Sequence, residues 1–174
     1  MEERSRITLI DLHVDNLTIC QYNELFKCES FYHHIPTETF LVFQTDTMIF
    51  EKHRHLIYDF LQYDYVVSPW KKTFKFAEKC NYVGNGGLSL RKKSKMLSIL
   101  HTDIHTVENE DIFFSRNQEG VQKPDYEMAK KFSMETVFSD ITFGCHAPWK
   151  WLDTNLLYAV YPEVKQLVEL QYVE

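Results

Sequence analysis

The residues placed to do chemistry are those that interrupt apolar runs or break regular spacing. The run Thr39–Phe43 (TFLVF) ends abruptly at Gln44-Thr45-Asp46-Thr47. In open α/β sheets ligands bind beyond the carboxyl ends of strands, and a carboxylate there can hold a hard divalent cation that grips phosphate oxygens. The alternative is that Asp46 caps a turn. Gly84-Asn85-Gly86-Gly87 places three glycines in four positions, which lets a ligand lie against the backbone or lets the chain turn tightly. It is neither a Walker loop nor a GxGxxG fingerprint. Asn109-Glu110-Asp111 sets adjacent carboxylates at a helix start, where the dipole favours them. Lying in a cleft, one of them can take a proton from a substrate hydroxyl. Gly144-Cys145-His146-Ala147-Pro148-Trp149 presents an imidazole among small neighbours, which suits a metal ligand or a hydrogen-bonded structural histidine. Trp70, Trp149 and Trp151 are sugar-stacking surfaces or core residues. His101 and His105 stand i, i+4 but lack the glutamate of HExxH, and no GxSxG serine pattern occurs.

These groups need elements to hold them. Periodicity predicts a strand over Ile7–Leu12 and a short amphipathic helix over Tyr22–Cys28. Thr39–Phe43 reads as a central strand buried on both faces. A helix is expected over His53–Leu61, then a strand over Tyr65–Val67 that Pro69 stops. The glycine stretch breaks the chain before the strand Leu88–Leu90, and Ser94 caps a helix reaching Leu100. Further helices are expected at Asp111–Arg116, after Pro124, and over Val164–Leu170. Strands alternating with helices imply an α/β chain with a mostly parallel sheet.

Composition narrows the classes. The chain has 174 residues, one domain's worth, and 19 Lys+Arg against 25 Asp+Glu give a net charge of −6. That balance argues against a dedicated nucleic-acid binder. Hydrophobic residues at 44% and charged residues at 25% are ordinary for a globular chain and unlike a disordered one. No apolar run is long enough to span a bilayer and no secretory leader is apparent, so a cytoplasmic setting is expected. The 4 cysteines form no CxxC pair and read as free, buried thiols in a reducing compartment.

Taken in order, QYNELFKCESFY, FLVFQTDTMIF, YDYVVSPW, YVGNGGLSLRKKSKML, NEDIFFSR, FSMETVF and FGCHAPWKWL resemble an uncharacterised family of predicted glycosyltransferases with a GT-A-like fold. The resemblance spans about residues 7–168. It implies a GT-A-like (Rossmann-like) sheet flanked by helices, and transfer of a sugar from a nucleotide-sugar donor to a glycan or other hydroxyl acceptor. It also implies Mn²⁺ or Mg²⁺ held by Asp46 and His146, Asp111 as general base with Glu110 as its fallback, and substrate contacts from Gln44, Thr45, Asn85, Gly86, Gly87, Trp70 and Trp149. The DxD motif of such enzymes reads Gln44-Thr45-Asp46 here, so its first acid is replaced. The usual opening strand–helix–strand unit that binds the nucleotide base is reduced or missing, which implies a homo-oligomer or a partner chain completing the fold. The competing reading is a non-catalytic sugar- or nucleotide-binding or assembly module derived from such an enzyme. A metal-dependent phosphoesterase fits poorly, since no dense His/Asp ligand set is present.

Overall fold

The computed structural model describes residues 8–102, 108–116 and 120–172, and the chain is mixed α/β. Two small sheets carry the strands. The first takes β1 (Thr39–Phe43), β3 (Tyr65–Pro69) and β4 (Val83–Lys92) in the order β1-β4-β3, both outer strands antiparallel to β4. The second takes β2 (Thr47–Ile49), β5 (Ser133–Met134) and β6 (Gly144–His146) in the order β2-β6-β5. There β2 is antiparallel to β6 and β5 is parallel to it. Antiparallel pairing therefore predominates among the described residues, where a mostly parallel sheet was expected. The reason lies in β4, a ten-residue strand that runs back between β1 and β3.

Alternation along the strands sorts their side chains onto two faces. Phe40 and Val42 of β1, Tyr65 and Val67 of β3 and Val83 of β4 pack under four helices. These are α1 (Ile19–Phe26), α2 (Glu29–His33), α4 (Lys93–Thr102) and α5 (Glu110–Ser115), which contribute Phe26, Tyr32, Met96, Ile99, Phe113 and Phe114. The other face sets Val66, Leu88 and Leu90 against Phe60, Phe132 and Phe143. Phe60 ends the short α3 (Ile57–Phe60), and Phe132 follows α6 (Tyr126–Ala129). A third cluster seats Met134 and Cys145 against Leu157 of α7 (Thr154–Val160) and Val164 and Leu167 of α8 (Val164–Leu170).

Several expectations shift. Residues 8–12 are exposed and form no strand, and Ile7 lies outside the described residues, as does His105. The first helix starts earlier, at Ile19, because Thr18 and Gln21 close a capping box. β1 is an edge strand of its sheet rather than a central one, and its last residue Phe43 is 68% exposed. The helix expected over His53–Leu61 splits into a 3₁₀ turn over Glu51–Leu56 and the single α-turn of α3. Pro69 belongs to β3, facing a register shift where its missing N–H leaves no gap in the ladder. The glycine stretch lies inside β4 rather than in a loop. Ser94 falls in the first turn of α4, where Glu38 accepts hydrogen bonds from its N–H at 3.4 Å and its hydroxyl at 2.5 Å and does the capping. All four cysteines are free thiols, Cys80 and Cys145 buried as expected and Cys20 and Cys28 exposed instead.

Candidate functional site

Gln44-Thr45-Asp46-Thr47 is a tight turn that carries the chain from β1 of one sheet into β2 of the other. The Thr47 N–H donates to the Gln44 carbonyl at 3.1 Å, and the Gln44 N–H donates to the Gly87 carbonyl at 3.0 Å. The Thr47 hydroxyl donates to that same carbonyl at 3.3 Å. The turn is thereby bound to the glycine stretch of β4, and the Asp46 carbonyl accepts the Ala147 N–H at 2.9 Å, which binds it to the end of β6. Turn and strand-end readings of Asp46 thus describe one place.

Gly87 is where side chains from two sheets meet. A Cβ built there would stand 2.2 Å from His146 Nδ1, so the imidazole lies directly on bare backbone. His146 Nε2 is 3.1 Å from Asp46 Oδ1 and Nδ1 is 3.0 Å from Glu135 Oε2. Lys150 Nζ holds the other Asp46 oxygen at 3.0 Å. The His146 hydrogen bond, with Lys150 adding to it, keeps the Asp46 carboxyl well below the usual carboxylate range against the opposing effect of burial. Burial disfavours the His146 charge, yet the hydrogen bonds and charges of Asp46 and Glu135 outweigh it and lift its pKa to about 9.

Gly86 faces the acids. A Cβ there would meet Glu110 Oε1 at 3.0 Å, Asp111 Cβ at 3.2 Å and an Arg91 nitrogen at 3.3 Å. The two carboxylates differ in what holds them. Arg91 is fully buried and reaches both Glu110 oxygens, at 3.0 and 3.3 Å, while its Nε donates to Ser89 at 2.9 Å. Phe26, Tyr65 and Phe114 wall the guanidinium in. Glu110 is therefore committed to a buried ion pair, which leaves Asp111 as the acid available for proton transfer. Asp111 accepts the Ile112 N–H at 2.7 Å. Burial first, then the charges of Glu110 and Glu135, push its pKa up to about 7. Glu135 thus touches His146 directly and acts on Asp111 electrostatically, so the two sides of the glycine stretch form one electrostatic unit.

Beside Asp46 and Gln44 opens a cleft of about 860 Å³, lined also by Thr45, Phe43, Tyr22 of α1 and Leu17. Asn85 is half-buried and its side-chain oxygen accepts the Gly87 N–H at 3.3 Å, so it shapes the stretch from within. Trp70 is not a sugar platform: it is 3% exposed, packed against Phe76, and a Cβ at Gly84 would overlap it at 2.2 Å. Trp149 packs on the cluster of Met134 and Cys145, whereas Trp151 is the exposed indole, edge-on to Phe74. Sequence reading missed Glu135 and Lys150, and Arg91, which reads as a phosphate contact or a solvated helix start, is instead the buried partner of Glu110. Lys150 follows the FGCHAPW stretch by one residue, a signal that was within reach. Glu135 sits in FSMETVF, where nothing local marks it.

No group of three or more His, Cys, Asp or Glu among the described residues is arranged as a complete metal site. Asp46 and His146 bring one carboxylate and one imidazole together, a partial donor set for a cation such as Mn²⁺ or Mg²⁺ that takes its other ligands from substrate phosphates and water. No helix among the described residues is long and apolar enough to cross a membrane. No curated protein and no solved structure matches the chain. One family model, described as a protein of unknown function (DUF5672), matches residues 6–146. That stretch takes in the turn, the glycine stretch, both acids and His146, so the chain belongs to the DUF5672 family.

Proposed function

We propose that this chain is a glycosyltransferase with a GT-A-like fold that moves a sugar from a nucleotide-sugar donor to a hydroxyl acceptor. The observation that carries the reading is the Asp46–His146 pair seated against Gly87, with Asp111 lying against the adjacent Gly86. Asp46 and His146 would hold Mn²⁺ or Mg²⁺, which supplies Lewis-acid neutralisation of the departing diphosphate. Lys150 lies beside Asp46, so its ammonium faces the same negative charge. Gly86 and Gly87, expected to receive substrate, are instead buried under Asp111 and the His146 ring, so they seat the site's side chains and the donor would lie beyond these. Asp111 takes the proton of the acceptor hydroxyl as its oxygen forms a bond to the anomeric carbon, and the bond from that carbon to the diphosphate oxygen breaks. A carboxylate with a pKa near 7 is a stronger base than an ordinary one and is still largely ionised just above neutrality. The cleft flanking Gln44 and Phe43 offers the donor a mixed polar and apolar wall.

A second reading, a non-catalytic sugar- or nucleotide-binding or assembly module, draws on Gln44 standing where an acid is usual and on Lys150 already neutralising Asp46. Thermal unfolding with a panel of nucleotide sugars, with and without Mn²⁺, separates the two. A ligand bound to the native state raises its apparent stability. Transferase function requires stabilisation by one nucleotide class that is strengthened by Mn²⁺. Stabilisation indifferent to Mn²⁺ supports the binding module, and no response to any donor contradicts the transferase and favours the assembly role.

A further inference from the structure

We propose that Glu135 is a positioning residue that fixes the His146 ring so that Nε2 faces Asp46, a role that rests on reading Asp46 and His146 as the metal pair. Glu135 is 6% exposed, and its Oε2 lies 3.0 Å from His146 Nδ1. The opposite ring nitrogen lies 3.1 Å from Asp46 Oδ1. A ring flip would put carbon atoms against both carboxylates, so the pair admits one orientation. The ring face rests on Gly87, which removes the remaining room to tilt.

The fold devotes an element to this contact. β5 is two residues long and pairs parallel to β6, with Ser133 opposite Gly144 and Met134 opposite Cys145. The next position in that register sets Glu135 beside His146. Immediately afterwards the Thr136 hydroxyl donates to the Pro69 carbonyl at 3.2 Å and accepts the Lys71 N–H at 3.1 Å, which ties the segment to the end of β3. Glu135 is thus held at both ends while its carboxylate is aimed at one nitrogen. A carboxylate that accepts the Nδ1 proton fixes Nε2 on the Asp46 side, where a cation would be shared once the Nε2 proton is displaced.

The test combines Mn²⁺ titration followed by electron paramagnetic resonance with ¹⁵N-resolved detection of the His146 Nδ1 proton. In Glu135→Ala the Nδ1 proton signal should vanish through fast exchange, and Mn²⁺ binding should weaken about 10- to 100-fold. Glu135→Gln keeps an acceptor oxygen, so the proton signal should persist and affinity should fall less. Glu135→Asp, one methylene shorter, should behave as Glu135→Ala, and it decides the matter if the alanine variant fails to fold. Wild-type Mn²⁺ affinity in folded Glu135→Ala or Glu135→Asp, or a persisting Nδ1 proton in either, overturns the role. If the wild-type protein binds no Mn²⁺, the metal reading fails, while the proton signal alone still decides whether Glu135 holds the ring.

Discussion

Two carboxylates adjacent in sequence, Glu110 and Asp111, are put to opposite uses by what surrounds them. Glu110 pairs with a buried guanidinium, so Glu110→Ala would leave Arg91 charged and without its carboxylate. Loss of roughly 3–5 kcal/mol is expected in urea unfolding, as for other broken buried pairs. Asp111 is raised from 3.8 to about 7 by burial and by Glu110 and Glu135, so the native state binds more protons than the unfolded state between those values. Stability from this group is therefore present at low pH and lost as pH rises through 7. Asp111→Asn should raise unfolding stability at pH 8 by on the order of 2 kcal/mol and change it little at pH 4. The same variant should abolish transfer, and wild-type activity should rise across pH 7 as the base loses its proton, which a pH–rate profile reads directly. Gly87→Ala places a methyl group within the His146 ring, so it should cost about 1–3 kcal/mol and displace the imidazole. Weakened Mn²⁺ binding would report the displacement.

At the scale of elements, α1 does more than cover the sheet. Its Asn23 side-chain oxygen accepts the Glu110 N–H at 2.5 Å, which fixes the start of α5 and so the acids. Thr18→Ala removes the capping box and should lower stability by about 1 kcal/mol with a smaller effect on the site. The helices α1, α4, α5 and α8 were legible because their periodic apolar faces are the faces they bury. β1 was legible as a strand, but TFLVF reads alike at an edge or a centre, since helices cover one face and Leu41 packs on the other. The glycine stretch misled for a physical reason. Glycines usually end strands, yet here they let Trp70, Asp111 and His146 press against β4 from both sides. β2, β5 and β6 are two or three residues long, too short for any period to show. Asp46, Asp111 and His146 were therefore visible as residue types, while Glu135, which touches His146 and acts on Asp111 by its charge, was not.

Over the whole molecule, two small sheets meet at one glycine-lined strand, and the candidate site is built at that meeting. The outer edge of β1 pairs with no strand among the described residues, and Phe43 at its end is largely exposed. An open edge with an exposed aromatic favours strand addition. Sedimentation at micromolar concentration should therefore show a species larger than 20.8 kDa, and Phe43→Lys should return it to the monomer. A purely monomeric wild type would remove self-association from the picture without touching the site. The claim on which the functional reading stands is that turn, glycine stretch and acid serve one reaction. It is tested by release of nucleoside diphosphate from a panel of nucleotide sugars in the presence of Mn²⁺, measured for the wild type, Asp46→Asn and Asp111→Asn. Release from one donor class by the wild type, with a loss of about 100-fold or more in each variant, is the expected result. No release from any donor, or unchanged release by either folded variant, would contradict it.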